Sequence, residues 1–196
     1  MRLEASTVAP WQDERVELFL LEETDVSSAY VSWLNDPLVN RFLECRFAVH
    51  DEASTRAFVG ACLADPDVLM LGVRSRILAG RHVGNIKLGP IDRRHGLGEI
   101  GILIGDREAW GRGIASSAIR LLCGIAVLQL GLRKLTAGCY ASNGGSARAF
   151  LKTSFCIEGR RVRHMLLEQG EDDLLLMAYW PQPPSTSSTH QDAMAF

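Results

Sequence analysis

Trp110-Gly111-Arg112-Gly113-Ile114-Ala115 places two glycines one residue apart directly ahead of a long apolar-periodic segment, and that arrangement can hold an anion. Backbone N–H groups in the first turn of a helix lack intrahelical partners, and the helix dipole puts partial positive charge at the same point. Glycine lets the backbone approach a phosphate closely and adopt positive φ. The segment therefore reads as a site for a phosphorylated cofactor, its pyrophosphate lying on amides from Gly111 to Ser116, with Arg112 as a candidate source of charge. Two other glycine patterns fail. A dinucleotide fingerprint would need glycine where Ser116 stands, and no Gly-x-x-x-x-Gly-Lys-Ser/Thr loop exists in the chain.

Such a turn needs a strand before it and a helix after it. Glu99 to Ile104 reads as the strand, and the apolar period after Gly113 as the helix, with Gly131 as its C-cap. Upstream, Val16 to Leu21 reads as a strand. Thr24 and Asp25 offer caps to a helix carrying Val26, Ala29, Tyr30 and Trp33 on one face. A short turn through Val39 and Phe42 follows, then a helix from Asp51 to Ala64, and strands from Val68 to Val73 and His82 to Leu88. Downstream come a strand from Lys134 to Tyr140, a short helix opened by Asn143 and running through Lys152, and a closing hairpin of Glu158 to Leu167 and Leu174 to Trp180.

The division is a loose segment at 1–15, one domain at 16–180, and a tail at 181–196 too rich in Pro, Ser and Thr to pack, hence disordered. At 196 residues, 47% hydrophobic and 22% charged, the chain suits one soluble domain with a continuous core. A net charge of −2 gives no basic field and argues against nucleic acid. No apolar run nears the roughly 20 residues that cross a bilayer, and the N-terminus lacks a signal-peptide core, so no membrane is expected. Five cysteines without a Cys-x-x-Cys pair argue against a disulfide framework or a zinc site and for a reducing cytoplasm.

The glycine segment resembles the acetyl-CoA motif of the GNAT acetyltransferase superfamily, Gln/Arg-x-x-Gly-x-Gly/Ala, with Trp110 in the first slot as in its Rim-type (ribosomal-protein alanine acetyltransferase-like) branch. Tyr30 to Pro37 resembles the Trp-Leu-Asn-Asp-Pro segment of that branch. Asn143-x-x-Ser146 and Phe155-Cys156-Ile157-Glu158-Gly159 resemble its Asn-x-x-Ser and Gly-Phe-x-x-Glu-Gly pieces, Ser154 replacing the first glycine. The resemblance spans residues 16 to 180 and implies an α+β GNAT fold. Its central sheet is mixed, mostly antiparallel and twisted, and helices flank it in three α/β/α layers.

Acetyl transfer from a thioester to an amine needs a neutral amine, a donor for the developing oxyanion and a departing thiolate. The resemblance implies acetyl-CoA as co-substrate and no metal. Its pantetheine arm adds to the strand like an extra one, held by backbone groups of Ile102 and Ile104, or of Leu103 between them. Asn143 binds pantetheine or orders a water, and Ser146 lies near the sulfur. Glu99 is the candidate general base, acting through a water. Asp92 and His95 are rival bases or substrate ligands, and Trp33 is a further substrate candidate. Where many superfamily members carry a tyrosine as acid, seven residues after the asparagine, this chain has Phe150; Tyr140 is a second choice.

The expected activity is N-acetylation by direct attack, on a small-molecule amine such as an amino sugar or else on a protein N-terminus. Asn40 to Glu44 and His82 to Leu88, with Asp92 and His95, resemble amino-sugar acetyltransferases and favour the sugar. A homodimer is a further expectation. The competing readings are a non-catalytic acyl-CoA-binding or sensor domain on the same fold and an unrelated nucleotide-binding α/β domain.

Overall fold

The computed structural model describes residues 11–181; the expected looseness of residues 1–10 and disorder of 182–196 lie outside them. Eight strands form one sheet: β1 (Trp11–Gln12), β2 (Val16–Leu20), β3 (Leu69–Ser75), β4 (Arg81–Asp92), β5 (Leu97–Ile104), β6 (Lys134–Tyr140), β7 (Cys156–Leu167) and β8 (Gly170–Tyr179). Their spatial order is β1-β2-β3-β4-β5-β6-β8-β7, antiparallel throughout except between β5 and β6. The helices are α1 (Ser28–Asn35), α2 (Pro37–Asn40), α3 (Glu52–Ala64), α4 (Ile114–Leu128) and α5 (Gly144–Leu151).

Period-two alternation gives the sheet two apolar faces. Leu71, Val73, Ile86, Leu88 and Ile100 point to one face and meet Ile114, Ile119 and Leu122 of α4 and Phe150 of α5. Met70 points to the other and joins Tyr30, Trp33 and Val59 of α1 and α3. Helices on both faces make this the mixed, mostly antiparallel α/β/α arrangement of an α+β domain. Burying one such Leu or Ile contributes about 1.5–3 kcal/mol, so α4 is pinned to the sheet behind the glycine turn. No helix among the described residues is long and apolar enough to cross a membrane.

Three local expectations change. Thr24 and Asp25 do not cap α1: they lie in a 3-10 turn (Glu23–Asp25), because the Asp25 carboxylate turns back to accept the Glu22 N–H at 2.8 Å. Ser27 is the cap, its Oγ accepting from the Tyr30 amide. Trp11–Gln12, aperiodic in sequence, is a strand paired with Leu18 and Glu17, Trp11 being buried. The cap of α4 is Gln129, and Gly131 takes its positive φ two residues later, where the chain turns toward β6.

Candidate active site

Pairing between β5 and β6 stops early. Leu97, Gly98 and Glu99 face Lys134, Leu135 and Thr136; beyond them β5 stays with β4 as far as Ile104, while β6 stays with β8 to Tyr140. The facing edges of the two strands therefore part and leave a seam whose backbone groups have no strand partner. Such groups need one, since buried N–H and C=O groups are almost always hydrogen-bonded.

Backbone directions at the seam follow from two bonds. The Gly105 amide donates to Val83 on β4 at 2.9 Å, and the Trp110 indole N–H donates to the Ile104 carbonyl at 2.7 Å. Alternation along a strand then turns the backbone groups of Ile102 and Ile104 to the seam and those of Leu103 to β4. A Cβ built on Gly84 would lie 2.1 Å from the Leu103 carbonyl oxygen, in keeping with that direction. All three strand residues expected to hold pantetheine line the cleft, but Leu103 turns its N–H and C=O to β4 and packs its side chain against the α1–α3 core. Trp110 is committed as well: its indole ties the glycine loop to the end of β5.

The loop feeds α4 through Gly111 (φ +72°) and Gly113 (φ +77°), a conformation costly to residues with a Cβ. Gly113 is the N-cap residue of α4 and offers no side chain to its amides. By contrast, Ser27, Asp36, Asp51 and Asn143 each cap their helices with a side-chain oxygen. The first intrahelical bond of α4 runs from Ser117 N–H to Gly113 C=O, so the amides of Ile114, Ala115 and Ser116 have no intrahelical partner.

These groups line one cleft of about 650 Å³. Ile102, Ile104 and the Trp110–Ser116 turn form one side. Ser142 to Ser146 with Arg148 of α5 and its C-cap Lys152 form another, and Leu38, Val39 and Arg41 to Leu43 after α1 close the third. Arg41, Arg148 and Lys152 are its charged lining residues, all cationic. Open amides at an uncapped helix, three cations and a free strand edge can together hold a phosphorylated chain that carries amides. Arg112 lies outside this lining and bonds the Glu108 carbonyl at 2.7 Å. The α5 cations were legible, since Arg148 and Lys152 stand four residues apart on one helix face; Arg41 was not, because loop residues carry no period.

Asn143 and Ser146 both line the cleft. The Asn143 Oδ1 accepts the Ser146 amide at 3.1 Å, capping α5, and its Nδ2 makes no hydrogen bond among the described residues. Phe150 is buried against Phe155, ring centroids 5.0 Å apart, so the position of a phenolic acid belongs to the core. Tyr140 is also buried, its hydroxyl bonded to Glu44.

The remaining expectations fare differently. Glu99 is exposed at the apex of the seam, opposite Thr136, outside the cleft lining and on the sheet face opposite Ile100. Asp92 and His95 sit at the far end of β5, in a hairpin closed by Asp92 against Leu97, about 17 Å of strand away from Ile102. There Asp92 accepts the His95 amide, and the His95 carbonyl accepts Arg133, so both stabilise a turn rather than approach the cleft. Trp33 is core: 7% exposed, edge-on to His82 at 5.3 Å, and so close to Gly105 that a Cβ there would overlap its ring. Its amphipathic spacing signalled burial. Among the described residues no group of three His, Cys, Asp or Glu could hold a metal ion.

The architecture is shared with solved acetyltransferases. The spermidine N-acetyltransferase of Vibrio cholerae in complex with CoA and spermine is similar at a TM-score of 0.75 and 18% identity, over 86% of this chain and 96% of that one. A ribosomal L7/L12 α-N-protein acetyltransferase in complex with coenzyme A is similar at 0.74 and 19%, over 86% and 95%. The microcin C7 self-immunity acetyltransferase in complex with acetyl-CoA and AMP is similar at 0.72 and 17%, over 86% and 94%. No curated protein matches the sequence. The family model described as acetyltransferase (GNAT) domain matches residues 15–155, and the chain belongs to that acyltransferase family.

Proposed function

We propose that this chain moves an acetyl group from acetyl-CoA to a primary amine by direct attack. The observation that carries the reading is the seam, opening beside an uncapped helix at the Gly111–Gly113 turn. When bound, acetyl-CoA supplies the thioester. Backbone groups of Ile102 and Ile104 pair with its pantetheine arm, and a seam N–H donates to the thioester oxygen as charge develops there. A donor of that kind is worth about 10²–10³ in rate. Amides of Ile114 to Ser116 hold the pyrophosphate, and Arg41, Arg148 and Lys152 balance its charge.

Glu99 marks the point where the strands part, about 10 Å along β5 from Ile102, a distance that a water chain spans. On the face away from α4 it takes the ammonium proton through water and leaves the amine neutral for attack. With Phe150 in the core, the thiol, of ordinary pKa about 8.5, departs as thiolate and takes its proton from water or from the acceptor. The acceptor is a small-molecule amine such as an amino sugar, or a protein N-terminus. Solved neighbours named for spermidine and for a ribosomal protein N-terminus support an amine without choosing among them. Five free cysteines support a reducing, cytoplasmic location.

Release of free thiol from acetyl-CoA, measured with a panel of amino sugars, polyamines and N-terminal peptides, tests the reading. Amine-dependent release with one class is expected. Tight acetyl-CoA binding without release for any amine would assign the chain to the sensor reading instead. A second measurement isolates Asn143. Asn143→Ser keeps a capping oxygen for α5 but loses the Nδ2 donor. Calorimetry should show acetyl-CoA affinity down about fivefold to tenfold with an unchanged melting temperature, the size of one hydrogen bond. Full affinity in that variant would reduce Asn143 to a helix cap.

A further inference from the structure

Glu44 directly follows Leu43, which lines the cleft, and its carboxylate is held from one side only. Oε1 accepts the Tyr140 hydroxyl at 2.7 Å and lies 3.5 Å from the Arg46 guanidinium. Tyr140 ends β6 at the seam and is 4% exposed, its ring packed against Phe42 at 5.5 Å and beneath Arg46 at 5.4 Å. Burial, and then the bond to Glu44, pushes the phenol pKa up, so the hydroxyl remains a donor. Arg46 is fixed in turn by the Leu43 carbonyl at 2.8 Å and, across the chain, by the Leu166 carbonyl of β7 at 2.7 Å. The other oxygen, Oε2, has no partner among the described residues, and the side chain is 69% exposed. A glutamate serving only solubility would not be oriented by a buried phenol and a nearly buried guanidinium; this one presents a single oxygen at the lip of the cleft.

We propose that Glu44 anchors a cationic group of the acceptor, a group other than the amine that reacts, so that the acceptor class is an aliphatic di- or polyamine. This rests on acetyl transfer at the cleft. The attacking amine must be neutral, whereas an ion pair with a carboxylate favours the charged form. A carboxylate fixed by Tyr140 and Arg46 therefore suits a nitrogen that stays charged throughout. Arg41, Arg148 and Lys152 make the cofactor side repulsive to a cation; Glu44, one residue beyond Leu43 of that lining, has Oε1 facing Arg46 and leaves Oε2 as the acceptor for a further cation. Glu44 is a binding residue; Tyr140 is a positioning residue that acts through it.

The test uses the full chain with acetyl-CoA, measuring thiol release with spermidine, 1,4-diaminobutane and butan-1-amine, and acetyl-CoA affinity by calorimetry. The wild type should prefer at least one of the two polyamines over butan-1-amine by about fivefold in kcat/KM, the upper size of one solvent-exposed ion pair. Glu44→Gln should raise KM for that polyamine about fivefold, hold kcat within about twofold and leave butan-1-amine and acetyl-CoA affinity unaffected. Glu44→Asp should recover part of the loss, and Tyr140→Phe should raise the same KM about threefold, as expected for one hydrogen bond. Equal use of butan-1-amine, turnover of none of the three, or a polyamine KM unmoved by Glu44→Gln would each overturn the proposal. A wild type that fails to bind acetyl-CoA overturns the acetyl-transfer reading beneath it, and calorimetry tells that failure from the others.

Discussion

Gly113→Val is expected to abolish acetyl-CoA binding while the domain still folds. Gly113 sits at φ +77°, and a Cβ there would approach only the flexible Arg15 side chain, at 3.7 Å. The chain itself therefore raises no steric objection. The objection is conformational, because a β-branched residue in the left-handed region costs about 1–3 kcal/mol, a fraction of the roughly 5–15 kcal/mol that holds a domain together. Valine either keeps the turn and places two methyl groups over the amides of Ile114 to Ser116, or relaxes the turn and aims those amides elsewhere. Both outcomes remove the phosphate cradle. In thermal denaturation the wild type with acetyl-CoA at about 100 times its Kd should gain roughly 2.7 kcal/mol, and the variant should gain nothing. A variant stabilised as well as the wild type would place the cofactor elsewhere.

The glycine turn ahead of α4 was legible in the sequence because everything it needs is local. Two glycines, the strand before them and the apolar period after them lie within one run of chain, and turn chemistry alone assigns their roles. The capping asymmetry was partly legible too, since Gly113 stands where the other helices carry Ser, Asp or Asn. The seam was not. It depends on where the β5–β6 pairing stops, and strands separated by a whole helix give no sign in either sequence of how many residues they share. The same holds for Glu44 and Tyr140, 96 residues apart in the chain, and for Arg46 reaching Leu166. Asp92 and His95 stand apart from the cleft for a geometric reason. Polar residues near Glu99 in sequence are carried away from Ile102 by the length of the strand itself. Trp33 lies in the core, as an aromatic at helical spacing signals.

Glu99→Gln should leave the fold and the acetyl-CoA thermal shift intact while turnover at neutral pH falls by about 10² or more, the usual size for a lost general base. The side chain is exposed and opposite Thr136 at the last shared pair of β5 and β6, so an isosteric amide removes proton-accepting capacity without disturbing packing. Ile100 and Ile102 bury toward α4, which leaves Glu99 on the opposite face of β5. The pH profile separates catalysis from binding. An acceptor of ordinary pKa about 8, as for an α-amino group, needs less help at pH 7 than one near 10, as for a lysine-like amine. The deficit of the variant should therefore shrink as pH rises and the amine becomes neutral unaided, and it should be larger for the more basic acceptor. A deficit that persists undiminished to high pH would mean that Glu99 shapes the seam rather than moving a proton. Full activity of the variant at pH 7 would leave deprotonation to water alone, since Asp92 and His95 are held in their turn at the other end of the strand.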